Sequence, residues 1–198
     1  MKLSSLLLFL LFFLSKGTAQ TTYLDSLHQR LANERNDTSK MVLHSLLFYY
    51  YSETIPDSAL QYSKKAMYLA TRIDMPVSLA MTMDHVGYSE LLLGNYSEAF
   101  RILLEGIKIV EEENTHHDEL ASYYIKQLKF IGHITSPSQF KLNTLANLYH
   151  DLGHLYVNID HYRSGIKYYS KALELAKQYD DEQLECLARM HIGRTYTL

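Results

Sequence analysis

Residues 152–175, LGHLYVNIDHYRSGIKYYSKALEL, carry small and aromatic residues at a spacing that suits a pair of helices. Counting from Gly153, Tyr156 stands at +3, Tyr162 at +9, Gly165 at +12 and Ala172 at +19, followed by Leu173 and Leu175. Residues 86–109, VGYSELLLGNYSEAFRILLEGIKI, keep the same register, with Gly87, then Gly94 at +7, Tyr96 at +9, Ala99 at +12 and Gly106 at +19. An earlier copy runs from Leu47 through Tyr50, Ala59 and Ala66, and a last one opens at Gly193 with Tyr196. Small residues at 0, +12 and +19 let two antiparallel helices cross closely, because larger side chains would push the backbones apart. Leu145, Leu148, Tyr149, Leu152 and Tyr156 recur every three or four residues, one face of a 3.6-residue helix. No segment alternates with a period of two, so the expected class is all-α, a solenoid of antiparallel helix hairpins without a sheet.

The two quoted strings resemble the tetratricopeptide repeat (TPR) family, and the resemblance covers about Met41 to Leu198. It implies helix-turn-helix units of about 34 residues stacked into a right-handed superhelix. Departures are visible: Leu47 replaces the usual glycine, Glu90 replaces an aromatic, and the closing proline is absent. The interval is 40 residues from Leu47 to Gly87 and again from Gly153 to Gly193, so longer helices are expected.

Repeats are expected at about 41–74, 75–113 and 137–178, with a partial copy at 181–198. From Gly87 to Gly153 the interval is 66 residues, 26 more than the others. Leu120, Tyr123, Tyr124, Leu128 and Ile131 follow helical spacing there, which predicts an inserted helix over about 118–133. Ser136-Pro137-Ser138-Gln139 then reads as a helix start with a serine cap. Residues 20–40 are read as an N-terminal amphipathic helix, from Thr22 to Glu34, and a link.

Residues 1–19 form a different kind of segment. Lys2 precedes nine unbroken apolar residues, Leu6 to Leu14, and Gly17-Thr18-Ala19 supplies small residues beyond them, the pattern of a secretory signal peptide cleaved after Ala19. Nine residues are too few to span a bilayer core, which takes about 20. Export to the periplasm or cell envelope is therefore expected, with an uncleaved anchor as the alternative.

The whole chain has 198 residues, 47% hydrophobic, 12% aromatic and 21% charged, which suits one folded domain. Without residues 1–19 it holds 17 bases against 22 acids, and no basic run of five to eight residues marks a phosphate-binding surface. Nucleic acid is excluded as the expected partner. The single cysteine, Cys186, cannot form an internal disulfide.

Ten histidines raise the question of metal. His150 and His154 stand one helical turn apart, as in HExxH metal helices, but Asp151 replaces the glutamate that would act as general base, and no third ligand is evident in the sequence. His116-His117 reads as a solvated turn. No catalytic residue, cofactor or metal site is expected, and no motif for nucleophilic or nucleotide chemistry is present. Most of the 17 tyrosines fall at packing positions of the repeat.

The resemblance places a partner groove on the first helix of each pair, about three residues before and one after the small packing residue. This selects His44, Phe48, Asp84, Tyr88, His150, His154, Met190 and Arg194, with Asn158 one turn beyond His154. The packing set comprises Gly87, Gly94, Ala99, Gly106, Gly153, Gly165, Ala172 and Gly193. The expected partner is a protein or peptide, and acidic ligands should be held better as the groove histidines protonate near pH 6.5. No membrane contact by the repeats is expected, and the last helix, with Leu184, Leu187, Ala188, His191 and Ile192 on one face, is expected to expose an apolar stripe open to self-association. The layout is similar to the extracytoplasmic N-terminal TPR regions of bacterial sensor histidine kinases and helix-turn-helix regulators, which implies a sensory or scaffold role without enzymatic activity in these residues. A free periplasmic adaptor for envelope protein assembly, and a metal-binding hydrolase using His150 and His154, stay open as alternatives.

Overall fold

A computed structural model describes residues 23–112 and 136–198; the expected leader and the expected inserted helix lie outside the described residues. The described residues form α1 (23–33), α2 (Asp37–Tyr51), α3 (Pro56–Arg72), α4 (Pro76–Leu92), α5 (Tyr96–Glu111), α6 (Pro137–Asn158), α7 (Tyr162–Gln178) and α8 (Glu182–Thr195), with no strand among them. Consecutive helices pair as α2/α3, α4/α5 and α6/α7, and α8 packs on α7.

The ends of these helices follow from local chemistry. All three prolines occupy the first helical turn of α3, α4 and α6, where a missing N–H costs nothing. Asn36, Ser136 and Asp181 accept from the backbone N–H three residues on, capping α2, α6 and α8. The serine cap at Ser136 is the one read from the sequence. Asp37 to Lys40, assigned to the link, instead form the first turn of α2, because the Asn36 cap starts the helix earlier.

The packing glycines divide by physical role. A Cβ on Gly87 would stand 2.6 Å from Leu103, on Gly106 2.9 Å from Leu148, on Gly153 2.7 Å from Tyr169 and on Gly165 2.5 Å from Val157, all closer than real carbons approach. Ala99 and Ala172 are fully buried at equivalent crossings. Leu103 and Leu148 are fully buried against these flat sites, each contributing about 1.5–3 kcal/mol by leaving water. Two of the expected packing positions are corrected. Gly94 meets nothing within 4 Å and sits at φ +78°, where the turn after α4 needs a left-handed residue. Gly193 also meets nothing within 4 Å, because no helix packs against that side of α8 among the described residues.

Helix α4 lies between α3, α5 and α6, so it is buried on nearly every side. Its polar residues are trapped with it. Ser89 and Thr82 return their hydroxyls to the carbonyls of His85 and Leu79 on the same helix, which hides the polarity at little cost in width. Glu90 has no such route and is 4% exposed. Lys64 of α3 reaches it at 2.9 Å and Asn95 donates to it at 2.7 Å. The residue that departs from the repeat pattern thus ties two hairpins together.

Aromatic rings fill the remaining gaps. Tyr51 and Tyr62 stack at 5.5 Å between α2 and α3, and Tyr156 and Tyr168 at 5.3 Å between α6 and α7. Tyr149 donates its hydroxyl to Glu111 and receives the Lys171 ammonium at 3.2 Å, linking α5, α6 and α7. Of the tyrosines at the +3 repeat position, Tyr156 packs as expected, whereas the expectation is corrected at Tyr196, which is 73% exposed.

Candidate functional site

The first helices α2, α4 and α6 stand side by side, and their facing side chains form one polar and aromatic surface that α8 extends. On α2, Phe48 stacks on His85 of α4 with ring centroids 4.2 Å apart, and Tyr88 approaches Phe48 edge-on at 6.5 Å. The Tyr49 hydroxyl lies 3.0 Å from His85 Nε2. Further along the same face come Asp84 from α4 and Asp151 from α6, 7% and 8% exposed. Burial raises the pKa of both carboxyls, that of Asp84 well above the ordinary range, and the proximity of the Asp151 charge raises that of Asp84 further. The opposing effect on Asp151 comes from His150, whose Nδ1 lies 3.2 Å from Asp151 Oδ1.

The face ends in three histidines. His150 and His154 project one turn apart from α6, and His191 meets them from α8. Their ring centroids are 4.7, 5.1 and 4.3 Å apart. Beneath them Tyr169 of α7 contacts all three rings at 5.3 to 5.5 Å, and its hydroxyl lies 3.4 Å from His191 Nδ1. Arg194, one turn from His191 along α8, acts on His154 and Tyr169 electrostatically.

Six of the groove residues named from the sequence therefore share this face: Phe48, Asp84, Tyr88, His150, His154 and Arg194. His44 does not. It turns toward Tyr62 of α3 at 5.9 Å and joins the wall of a separate cavity of about 390 Å³ with Lys40, Lys65 and Arg72. Asn158 ends α6 with its amide donating to the His154 carbonyl, and Met190 is 55% exposed on α8. Residues that sequence reasoning left out of the site are Tyr49, His85, Asp151 and His191. His85 and Asp151 each follow a named groove position, but the register rule skipped them.

The expected protonation near pH 6.5 is corrected for the histidines that burial desolvates. His44 is held down to about 4, His154 to about 3 and His191 to about 4, chiefly because buried imidazolium loses its water and secondarily because cations lie nearby. His85 is held down to about 3 by burial. These rings are neutral at neutral pH.

The model of the SusR N-terminal TPR domain matches residues 18–157, and a tetratricopeptide repeat model matches residues 146–179. The chain belongs to the SusR N-terminal TPR domain family. No curated protein matches it. Among solved structures, the crystal structure of BtubC (BKLC) from P. vanneervenii aligns over 92% of this chain and 67% of its own, with a TM-score of 0.62 at 13% identity, a likeness in fold. As a TPR domain the chain is a protein–protein interaction module. Within this TPR domain the polar face lies on the first helices of the hairpins, and the second helices α3, α5 and α7 support it from behind.

Proposed function

We propose that this TPR domain is the exported sensory or scaffold N-terminal part of a bacterial signalling protein, a histidine kinase or a transcriptional regulator. The observation that carries the reading is the face along α2, α4, α6 and α8, where the partly exposed Tyr88 and His154 and the exposed Arg194 offer aromatic, imidazole and basic groups to one extended peptide, with the buried Phe48 and Asp84 behind them. The family description supports the position in a longer protein, since it names the domain as N-terminal. Export is supported by the leader pattern of residues 1–19. No described helix is long and apolar enough to cross a membrane.

A photo-crosslinking residue placed in vivo at Tyr88 or Arg194, with Glu105 on the exposed side of α5 as control, tests the reading. The expected result is a defined protein captured from the envelope fraction at the first two positions and not at Glu105. Capture equal at all three positions would remove the groove from the proposal. A chain found in the cytoplasm and still beginning at Met1 would remove export.

A further inference from the structure

The geometry points to a metal site formed by His150, His154 and His191, suited to one late first-row divalent cation such as zinc. One ring nitrogen from each residue can be chosen so that all three lie within 4.8 Å of one another. Tetrahedral zinc, with Zn–N near 2.0–2.1 Å, draws its nitrogens to about 3.3 Å apart, so ring rotations of about 1 Å close the set. His154 and His191 are only partly buried, which leaves room for that turn.

Independent features already orient the ligands. His150 faces Asp151 through Nδ1 at 3.2 Å, and its Nε2 is buried without a hydrogen-bond partner. A buried, unpartnered ring nitrogen has lost its water without gaining a partner, and a metal would recover that loss. A carboxylate on the far nitrogen of a ligand histidine fixes the tautomer and raises its basicity, the usual outer partner of a zinc histidine. Tyr169 lies 3.4 Å from Nδ1 of His191 and can hold that ring in the same way, leaving its Nε2 for the cation. Imidazole donors select late transition metals over magnesium and calcium, which prefer oxygen.

Three histidines leave a fourth coordination position open toward the face, and Arg194 beside it favours an anionic occupant such as hydroxide or a partner's carboxylate. The site needs no partner to form, so its test is separate from that of the proposed function.

Untagged full chain, stripped of metal with chelator and dialysed, is titrated with zinc by calorimetry and with cobalt by visible absorption. The expected result is one equivalent of zinc and the intense visible bands of tetrahedral cobalt. His191→Gln and His154→Gln should each weaken zinc binding by on the order of 100-fold, and Asp151→Asn by about 10-fold. His116→Ala with His117→Ala should leave binding unchanged. Circular dichroism of each apo variant shows whether it is folded, and His191→Gln, on the partly exposed terminal helix, keeps the test usable if an α6 variant is not. Absence of zinc binding by the folded chain would overturn the site. So would affinity unchanged in His191→Gln, or lost in the His116/His117 variant.

Discussion

Tyr169 occupies the space a Cβ on Gly153 would need: the built carbon stands 2.7 Å from its Cδ1 and 2.8 Å from its Cε1. The bare backbone at Gly153 lets the ring lie against α6, and the same ring forms the floor under His150, His154 and His191. A repeat-packing position and the candidate site are therefore one piece of geometry.

Gly153→Ala should lower stability by about 1 kcal/mol, since overpacking costs about 1–3 kcal/mol while the gain in helix propensity returns about 1. Gly153→Leu should unfold the third repeat. Gly193→Ala, where nothing lies within 4 Å, should gain about 0.5–1 kcal/mol from propensity alone. Urea melts compare the three. Equal effects at Gly153 and Gly193 would show that the Tyr169 contact does not matter.

Lys64 and Glu90 should couple across two hairpins. Glu90 is 4% exposed whereas the Lys64 side chain is about half exposed, so removing the carboxylate strands less than removing the cation, which leaves a buried charge. Lys64→Ala should cost about 1–2 kcal/mol and the coupling in a double-mutant cycle with Glu90→Gln should be about 1 kcal/mol, reduced by solvent at the lysine. Additive single effects would place the tie elsewhere.

Stability should depend on pH through His85. Its folded pKa of about 3 lies below the ordinary value of 6.5, so the unfolded chain takes up the proton first as pH falls. The fold therefore loses stability from about pH 6.5 downward, by up to about 1.4 kcal/mol per pH unit for this group. His44 acts in the same direction with a smaller effect. Asp84 and Asp151 act in the opposite sense, because the fold retains protons that the unfolded chain sheds above about pH 4. Melting temperature should fall between about pH 6.5 and pH 5, His85→Phe should flatten that slope, and Asp84→Asn should raise stability at pH 7. A slope unaltered in His85→Phe would assign the titration to other groups.

Helix α8 should exchange its amides faster than α6. It is supported by α7, with Leu184 and Ala188 buried, while Leu187 is 37% and Met190 55% exposed. The apolar stripe expected of this helix is thus divided: Leu184 and Ala188 face inward, and Leu187 with Met190 stays open. Leu187→Lys with Met190→Lys should reduce any concentration-dependent association seen by sedimentation. Protection of α8 equal to that of α6 would mean another surface covers it.

The hairpins, their register and most of their crossings were written in the chain itself. Gly87, Ala99, Gly106, Gly153, Gly165 and Ala172 recur at fixed intervals because close helix crossings tolerate only small residues, and the Ser136 cap is a local interaction within four residues. What lies across helices was not legible. His191 is 37 residues beyond His154, and only the stacking of α8 on α7 brings the two rings to 4.3 Å. Asp84, His85 and Glu90 are buried because α4 ends up between three other helices, which no property of that helix alone requires. His44 obeyed the register rule yet turned to Tyr62 of α3, a contact across two helices that spacing along one helix does not specify. Periodicity specifies which residues cross closely; the angle at which successive hairpins stack decides which side chains then meet.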